Sequence, residues 1–322
     1  MVKKFTSAVI GLGKIGQEYD YDWPDNSRAL THATGFTYHK SFELIGGVDP
    51  NYSARKRFEK KFERPAYSDI NELLFREQPE IISIAVPTNF HYTVFQEIIK
   101  SRPRAIICEK PIASSIKDAL NMLTMSEKHN CVLLVNYMRR YEPGFLSLKK
   151  AIDQGEIGDI YKGIVWYSKG LLNNGSHFID LLIYLLGDVC GKEIIGTGRM
   201  WDKKDPEPDI FLRFKNASMY FISAREECFS LNNMRLIGTQ GEIYYAEGGN
   251  KISIRKTQPH PDYPGYRILS PDHNVVSNDL KRYQWHVLEH LKNNLIDGIS
   301  INSDGKSAVK TLKVIEEVFS LL

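Results

Sequence analysis

A strand that empties straight into closely spaced glycines leaves few folds open to a chain. Ser7-Ala8-Val9-Ile10 is apolar enough for a buried strand, and it runs into Gly11-Leu12-Gly13-Lys14-Ile15-Gly16. In a G-x-G-x-x-G turn the first glycine permits a tight bend, the second lets the backbone approach a pyrophosphate, and the third lets a helix pack closely on the strand. The spacing alone recurs by chance, but here it follows a strand at the head of the chain, as in the first βαβ unit of a dinucleotide-binding sheet. The next strand, Phe42 to Val48, ends at Asp49, where such folds place an acid that accepts from the adenosine ribose. The alternative for Asp49 is an acid that merely opens the Asp49-Pro50-Asn51 turn.

From Gly16 to Asp49 the chain is longer than the ~20 residues usual for this unit. Gln17 to Ser27, polar and aromatic with no clear period, is expected to be an inserted loop before a helix near Thr31 to His39. Its tyrosines and Trp23 make it a candidate flap over a neighbouring site. Helices and strands then alternate. Ala54, Phe58 and Phe62 recur at helical spacing, and the basic residues Arg55 to Lys61 read as a solvated face in preference to an anion site. Asp69 and Glu72 form a capping box, and Ser115 caps a later helix. The strand Ile81 to Val86 turns at Pro87-Thr88-Asn89-Phe90-His91. The strand Arg104 to Cys108 delivers Glu109-Lys110-Pro111, and Cys131 to Val135 is one more strand. This order predicts an α/β fold whose first domain, residues 1–135, is a Rossmann doubly wound parallel sheet.

After Asn136 the pattern changes. An amphipathic helix with Phe145, Leu148 and Ile152 is stopped by Gly155. Strand-like runs follow at Ile160 to Ser168, Glu193 to Met200, Asp209 to Phe214, Ser218 to Ala224, Met234 to Ile237, Glu242 to Ala246 and Lys251 to Lys256. Two helices close the chain. Residues 136–322 are therefore expected to form an α+β domain with an open, largely antiparallel or mixed sheet.

Composition narrows the function classes. With 322 residues, 42% hydrophobic, 25% charged and a net charge of +3, the chain is an ordinary globular one with no call for a dedicated nucleic-acid surface. Its four cysteines lack a C-x-x-C pair, so neither a zinc site nor a disulfide framework is indicated and no metal is expected. Val2-Lys3-Lys4 leads directly into a strand, and no apolar segment is long enough for a signal peptide or membrane span. A cytoplasmic location is the expectation.

The chemistry-bearing residues fall at strand ends and one helix start. Lys110, at a strand's carboxyl end, can hydrogen-bond a substrate hydroxyl and exchange its proton if burial or a nearby positive charge lowers its pKa. The bland alternative is a surface Lys-Pro turn. Asn173-Asn174-Gly175-Ser176-His177-Phe178-Ile179-Asp180 opens an apolar helix with Ser176 as its capping residue, and the spacing of three puts His177 and Asp180 on one face. An aspartate there can fix the histidine tautomer, although a histidine near a helix start is more often structural. Arg139 and Arg140 suit an anionic substrate or cofactor phosphates, or alternatively an ion pair with Glu142.

Together these residues resemble the Gfo/Idh/MocA family of nicotinamide-dependent oxidoreductases. The resemblance is carried by Gly11-x-Gly13-x-x-Gly16, Asp49, Pro87-Thr88-x-x-His91, Glu109-Lys110-Pro111, Asn136-x-x-Arg139-Arg140-x-x-Pro143 and Gly175-x-His177-x-x-Asp180. It implies NAD(P) bound between a Rossmann domain and a second domain whose open sheet forms a homodimer or homotetramer interface. It implies Lys110 and His177 as catalytic residues, and Asn173, Asp180, Arg139 and Tyr137 around the substrate. Gly11, Gly13, Lys14, Ile15, Gly16, Asp49, Pro87, Thr88, His91 and Glu109 would line the cofactor, with Glu109 near the nicotinamide. One position departs from the family, because Asn173 stands where an aspartate is usual and a carboxamide cannot take a proton.

The expected activity is hydride transfer between nicotinamide and a secondary hydroxyl or ketone of a sugar, sugar derivative or sugar nucleotide, with no nucleic-acid or membrane partner. NAD-assisted glycoside cleavage, epimerisation without net redox, and a non-catalytic sugar or dinucleotide sensor are the alternatives. Asp49 favours NAD over NADP by repelling a 2′-phosphate, with Arg55 expected to point away on the next helix.

Overall fold

A computed structural model describes residues 4–322, so the Val2-Lys3 lead-in lies outside it. The chain forms two compact units. The first runs to Tyr141 and includes Lys281–Val309, and the second comprises Glu142–Leu280 and Lys310–Leu322.

In the first unit β1 (Phe5–Ile10), β2 (Phe42–Val48), β3 (Ala66–Tyr67), β4 (Ile81–Ile84), β5 (Ala105–Cys108) and β6 (Val132–Val135) form one sheet in the order β3-β2-β1-β4-β5-β6. Every pairing is parallel. The expected doubly wound sheet is what forms, and its strand order reverses between β1 and β4, the crevice where such sheets bind ligands. The helices between strands are α1 (His32–Tyr38), α2 (Tyr52–Phe62), α3 (Ile70–Glu77), α4 (His91–Ile98) and α5 (Ile116–Lys128). Their starts follow the local chemistry: Thr31, Asn51, Asp69 and Ser115 each accept a backbone N–H of the first turn. The core joins Val9, Phe36, Phe58 and Ile107 to Val287, Leu288 and Leu291, all buried. Each such side chain contributes about 1.5–3 kcal/mol by leaving water.

In the second unit α6 (Pro143–Asp153) and β7 (Ile160–Tyr167) lead to α7 (Ser176–Leu186). There follow β8 (Val189–Gly196), β9 (Met200–Asp202), β10 (Asp205–Pro206), β11 (Asp209–Phe214), β12 (Ser218–Ser223), β13 (Asn233–Gly238), β14 (Gly241–Ala246), β15 (Lys251–Pro259), β16 (Arg267–Leu269) and β17 (Asn274–Val276). The main sheet runs β16-β15-β14-β13-β7-β12-β11-β8 with β17 also on β15, and β9-β10 is a separate ribbon. The sheet is mixed because β12 pairs with β7 in parallel, whereas its other pairings are antiparallel. The run expected from Glu193 to Met200 begins earlier, at Val189, and breaks at Gly198, whose φ of +66° ends regular pairing. One face packs Val165, Met219, Phe221, Met234 and Ile243 against Phe145, Phe178 and Ile315. Finally, α8 (Tyr283–Asp297) belongs to the first unit, and α9 (Gly305–Phe319) supplies Val314, Ile315 and Val318 to the second core.

At the end of α1, His39 is buried with Nδ1 accepting from the Ser41 amide at 3.2 Å and Nε2 facing Glu289 Oε2 at 3.0 Å. That arrangement suits a neutral ring with its proton on Nε2, and burial lowers the His39 pKa to about 4, against the opposing pull of Glu289. An unfolded histidine titrates near 6.5, so between pH ~6.5 and ~4 the unfolded chain binds a proton that the folded one does not. Stability is therefore expected to fall by roughly 2–3 kcal/mol on acidification through that window. Denaturant titrations of wild type and His39→Gln should differ in slope over this range, and identical slopes would remove His39 as the cause.

Candidate functional site

The glycine turn is shaped by close backbone contacts. Gly11 has φ +98°, and a Cβ there would lie 2.7 Å from backbone atoms of Ala85 and Val86. A Cβ on Gly16 would meet the Gly11 carbonyl oxygen at 2.0 Å, whereas one on Gly13 would meet nothing within 4 Å. The first and third glycines are thus demanded by packing, and the second leaves its backbone open to an approaching group. After Gly13 the chain makes only a short π-type turn, Lys14–Glu18, which carries exposed Lys14, half-buried Ile15 and buried Gly16.

A cleft of about 560 Å³ opens over this turn, lined by Gly11, Gly13, Asp49, Pro50, Pro87 and Phe90 among others. A larger hollow of about 630 Å³ near Lys4, Phe42 and Arg64 lies at the amino end of β2, away from every strand-end motif. The strand-end cleft is therefore the candidate site. Asp49 Oδ2 accepts from the Leu12 amide and Oδ1 from the Asn51 amide, both at 2.8 Å. Asp49 thus braces the glycine turn and the Asp49-Pro50-Asn51 turn, and it lines the cleft. Arg55 corrects an expectation. Its guanidinium does not point away but curls back to donate to the carbonyls of Asp49 and Pro50 at 2.8 and 2.9 Å.

Pro87 is exposed at the mouth, and Thr88 opens a 3-10 turn, Thr88–Phe90. His91 is buried, with Nδ1 3.0 Å from the Pro111 carbonyl oxygen and Nε2 2.9 Å from that of Val86. Its ring braces the ends of β4 and β5, so any service to a cofactor comes through the loops it holds. Burial pulls its pKa down, and the facing carbonyls pull it up. Glu109 leaves the sheet two strands from the glycine turn, with β4 between, and its amide donates to the Ile84 carbonyl at 3.0 Å. Its Oε1 meets Asn136 Nδ2 at 2.6 Å and His32 Nε2 at 2.9 Å, and its Oε2 accepts from the Lys110 amide at 3.3 Å. Burial opposes ionisation of Glu109, but the His32 and Asn136 hydrogen bonds and nearby Lys110 hold its pKa below the ordinary value. Lys110 and Arg139 are half-buried and Tyr137 is buried. Arg140 is buried too and donates to the Asn302 carbonyl at 2.8 Å. Glu142 caps α6 through Phe145 N at 2.9 Å.

The inserted loop is tied down along much of its length. Buried Asp20 accepts from Leu30 N, Thr31 N, Thr31 Oγ1 and Thr34 Oγ1 at 2.6 to 3.2 Å. Tyr21 donates to the Arg57 carbonyl, Glu18 pairs with Arg57, and Arg28 stacks 3.5 Å over the Trp23 ring. Tyr21 and Trp23 are therefore engaged within the unit, and Tyr19 is an exposed aromatic on this loop.

In the second unit His177 and Asp180 are buried on α7, and Asp180 Oδ1 accepts from Thr311 Oγ1 at 3.2 Å. Ser176 does not cap the helix as expected, because its hydroxyl donates back to the Asn173 carbonyl at 3.1 Å. Asn173 belongs to a π-type turn, Gly170–Gly175, held by two buried acids that the sequence reading missed. Asp205 accepts from the amides of Leu172 and Asn173 at 2.8 and 2.9 Å, and Glu207 from those of Lys169 and Gly170 at 2.7 and 3.1 Å. A signal existed: Asp205-Pro206-Glu207-Pro208-Asp209 alternates acids with period two, which in extended chain puts all three on one face. Among the described residues no cluster of histidine, cysteine, aspartate and glutamate has the makings of a metal site, and no helix is long and apolar enough to cross a membrane.

Residues 5–137 match the family described as oxidoreductase family, NAD-binding Rossmann fold, GFO_IDH_MocA, and two dehydrogenases align along 88% and 99% of the chain. Residues 5–137 belong to the NAD-binding domain of the Gfo/Idh/MocA oxidoreductases. Among relatives, myo-inositol 2-dehydrogenase of Thermotoga maritima is 28% identical over 88% of this chain and 85% of its own. D-apiose dehydrogenase of Paraburkholderia graminis is 25% identical over 99% of this chain and 88% of its own. Matches to other curated oxidoreductases span only 37% and 42% of those proteins' length. The WlbA dehydrogenase of Bordetella pertussis, solved with NADH and UDP-GlcNAcA, shares the fold with a TM-score of 0.78 at 18% identity, over 99% of this chain and 95% of that one.

The glycine cradle fits a dinucleotide, because Gly13, the one glycine of the three with open space above it, lines the cleft. For the second unit, Asp205→Ala should leave the Leu172 and Asn173 amides without their acceptors. Hydrogen exchange at those two amides is expected to quicken roughly tenfold or more, with the interior of α7 unchanged. Unchanged protection would show that the turn does not depend on the acid.

Proposed function

We propose that this protein oxidises a secondary hydroxyl of a sugar or sugar nucleotide, or reduces the matching ketone, with NAD(H) as redox partner. The observation that carries the reading is the joined strand-end geometry. Glu109 and Lys110 leave β5 hydrogen-bonded to the end of β4, and that end is in backbone contact with the glycine turn. Bound nicotinamide would supply the hydride acceptor. Lys110 would take the hydroxyl proton as the carbonyl forms, with His177, supported by Asp180, as the relay. Asn173 can orient a hydroxyl but not deprotonate it, which is why the lysine carries the step. Arg139 and Tyr137, just beyond β6, are the further candidates for substrate contact.

NAD is favoured over NADP because the Asp49 carboxylate faces the cleft. Arg55 lies close by, but one of its nitrogens is spent on two backbone carbonyls. Titration should show NADH bound more tightly than NADPH, and the reverse order would overturn this preference.

The outer face of the second unit's sheet supports self-association. Phe211, Tyr220, Ile164, Arg235 and Tyr244 lie in one cross-strand row over five strands, and Tyr161, Trp166, Tyr220 and Tyr244 are exposed. A second copy of the chain is the proposed occupant of this face.

Incubation with a panel of sugars and sugar nucleotides, following reduced nicotinamide by absorbance, tests the activity. Lys110→Met is expected to lower kcat by about two to four orders of magnitude with NAD affinity nearly intact. Near-normal turnover in that variant would remove Lys110 from the proton path.

A further inference from the structure

The helix that follows the inserted segment carries a side chain into the β5 strand end. His32, the first residue of α1, is buried, and its Nε2 lies 2.9 Å from Glu109 Oε1. Asn136 Nδ2 reaches the same oxygen at 2.6 Å, and the Lys110 amide reaches the other at 3.3 Å. Three donors from three separate elements therefore converge on one carboxylate. An ionised carboxylate only accepts, so the proton of this contact sits on His32 Nε2.

The histidine is itself held in place. The Asp20 carboxylate takes the amides of Leu30 and Thr31, the residues just before it. The Tyr283 hydroxyl donates to the Leu30 carbonyl at 2.7 Å, and Ala29 exchanges backbone bonds with Lys281 and Gln284. Residues 29–32 are thus clamped by a buried acid on one side and by the start of α8 on the other. A clamp of this kind, several hydrogen bonds deep, is more than a loop needs merely to close, and it ends on the imidazole that faces Glu109.

We propose that His32 is a positioning residue for the reaction, an inference that rests on the function proposed above. By fixing the Glu109 carboxylate in one orientation, His32 fixes the hydrogen bond that this carboxylate accepts from the Lys110 amide, and with it the direction in which Lys110 leaves the strand. The insertion then serves as the support of the reacting lysine, and its effect on catalysis runs through this one side chain. A shift of about 1 Å in a catalytic group can cost on the order of a hundredfold in rate, so the support matters for turnover more than for binding.

Two substitutions and one spectrum test this. His32→Leu removes the donor, and His32→Gln returns an amide N–H close to where Nε2–H sits. Leucine is expected to lower kcat about ten- to a hundredfold with substrate KM within a few-fold of wild type, and glutamine to recover most of the loss. Leucine within twofold of wild type, or glutamine no better than leucine in two folded variants, would overturn the proposal. Histidine-labelled NMR gives a readout free of turnover. His32 should be protonated at Nε2, with an N–H resonance that moves in Glu109→Gln. An Nδ1-protonated ring, or a resonance indifferent to that substitution, would also overturn it, and this measurement decides if the leucine variant does not fold. If wild-type protein turned over no sugar, the proposed function would fall, while the spectrum would still decide whether His32 holds Glu109.

Discussion

The contact on which the first unit depends is the approach of the Gly11 backbone to that of Ala85 and Val86. Neighbouring strands of a parallel sheet are held apart by their ladder and their side chains, but beyond the last paired residues nothing fixes the distance between the loops. Here the absence of a side chain does. With no Cβ on Gly11, the turn after β1 can lie directly on the turn after β4, and with none on Gly16 the following segment can close over Gly11. Where the strand order reverses, the loops would otherwise splay. The close approach converts that splay into a cleft with one open glycine at its floor.

Polar burial performs a comparable task in the second unit. The turn before α7 contains two residues in left-handed conformation, Lys169 and Gly170, and a π-type stretch whose amides lack regular helical partners. Asp205 and Glu207 satisfy four of those amides, and Arg199 and Glu227 extend the network to the surface. A buried carboxylate is costly unless its hydrogen bonds are met, and here donors and acceptors complete each other. Asn173 and His177 thus follow a segment whose geometry is set by acids from a different part of the chain.

Most of the first unit was legible in the sequence because its signals are local. Glycine spacing, strand runs of β-branched residues and the caps at Asp69 and Ser115 are each decided within a few residues. The strands of the second unit were legible as well, and Asp209–Phe214 falls where the pattern put it. What escaped is non-local. His32 gave no sign of facing Glu109, 77 positions later, nor Arg140 of binding a carbonyl 162 positions on. Arg55 was misjudged because helical periodicity fixes which face a side chain leaves from, and a long guanidinium can curl back past it. The acids at 205 and 207 fall between two expected strand runs and were passed over, since alternation becomes informative only once the segment is known to be extended.

The division of the chain also governs when each unit can exist during synthesis. The first core needs Val287, Leu288 and Leu291, which are made long after the strands they cover, and the second needs Val314, Ile315 and Val318. A nascent chain displaying all six Rossmann strands still has the α1 side of that sheet uncovered, and the apolar face of the mixed sheet waits even longer. The first unit cannot mature before Lys281–Val309 is made, nor the second before Lys310–Leu322. Partly made chains expose apolar sheet surface throughout that interval, which is the condition under which folding intermediates associate.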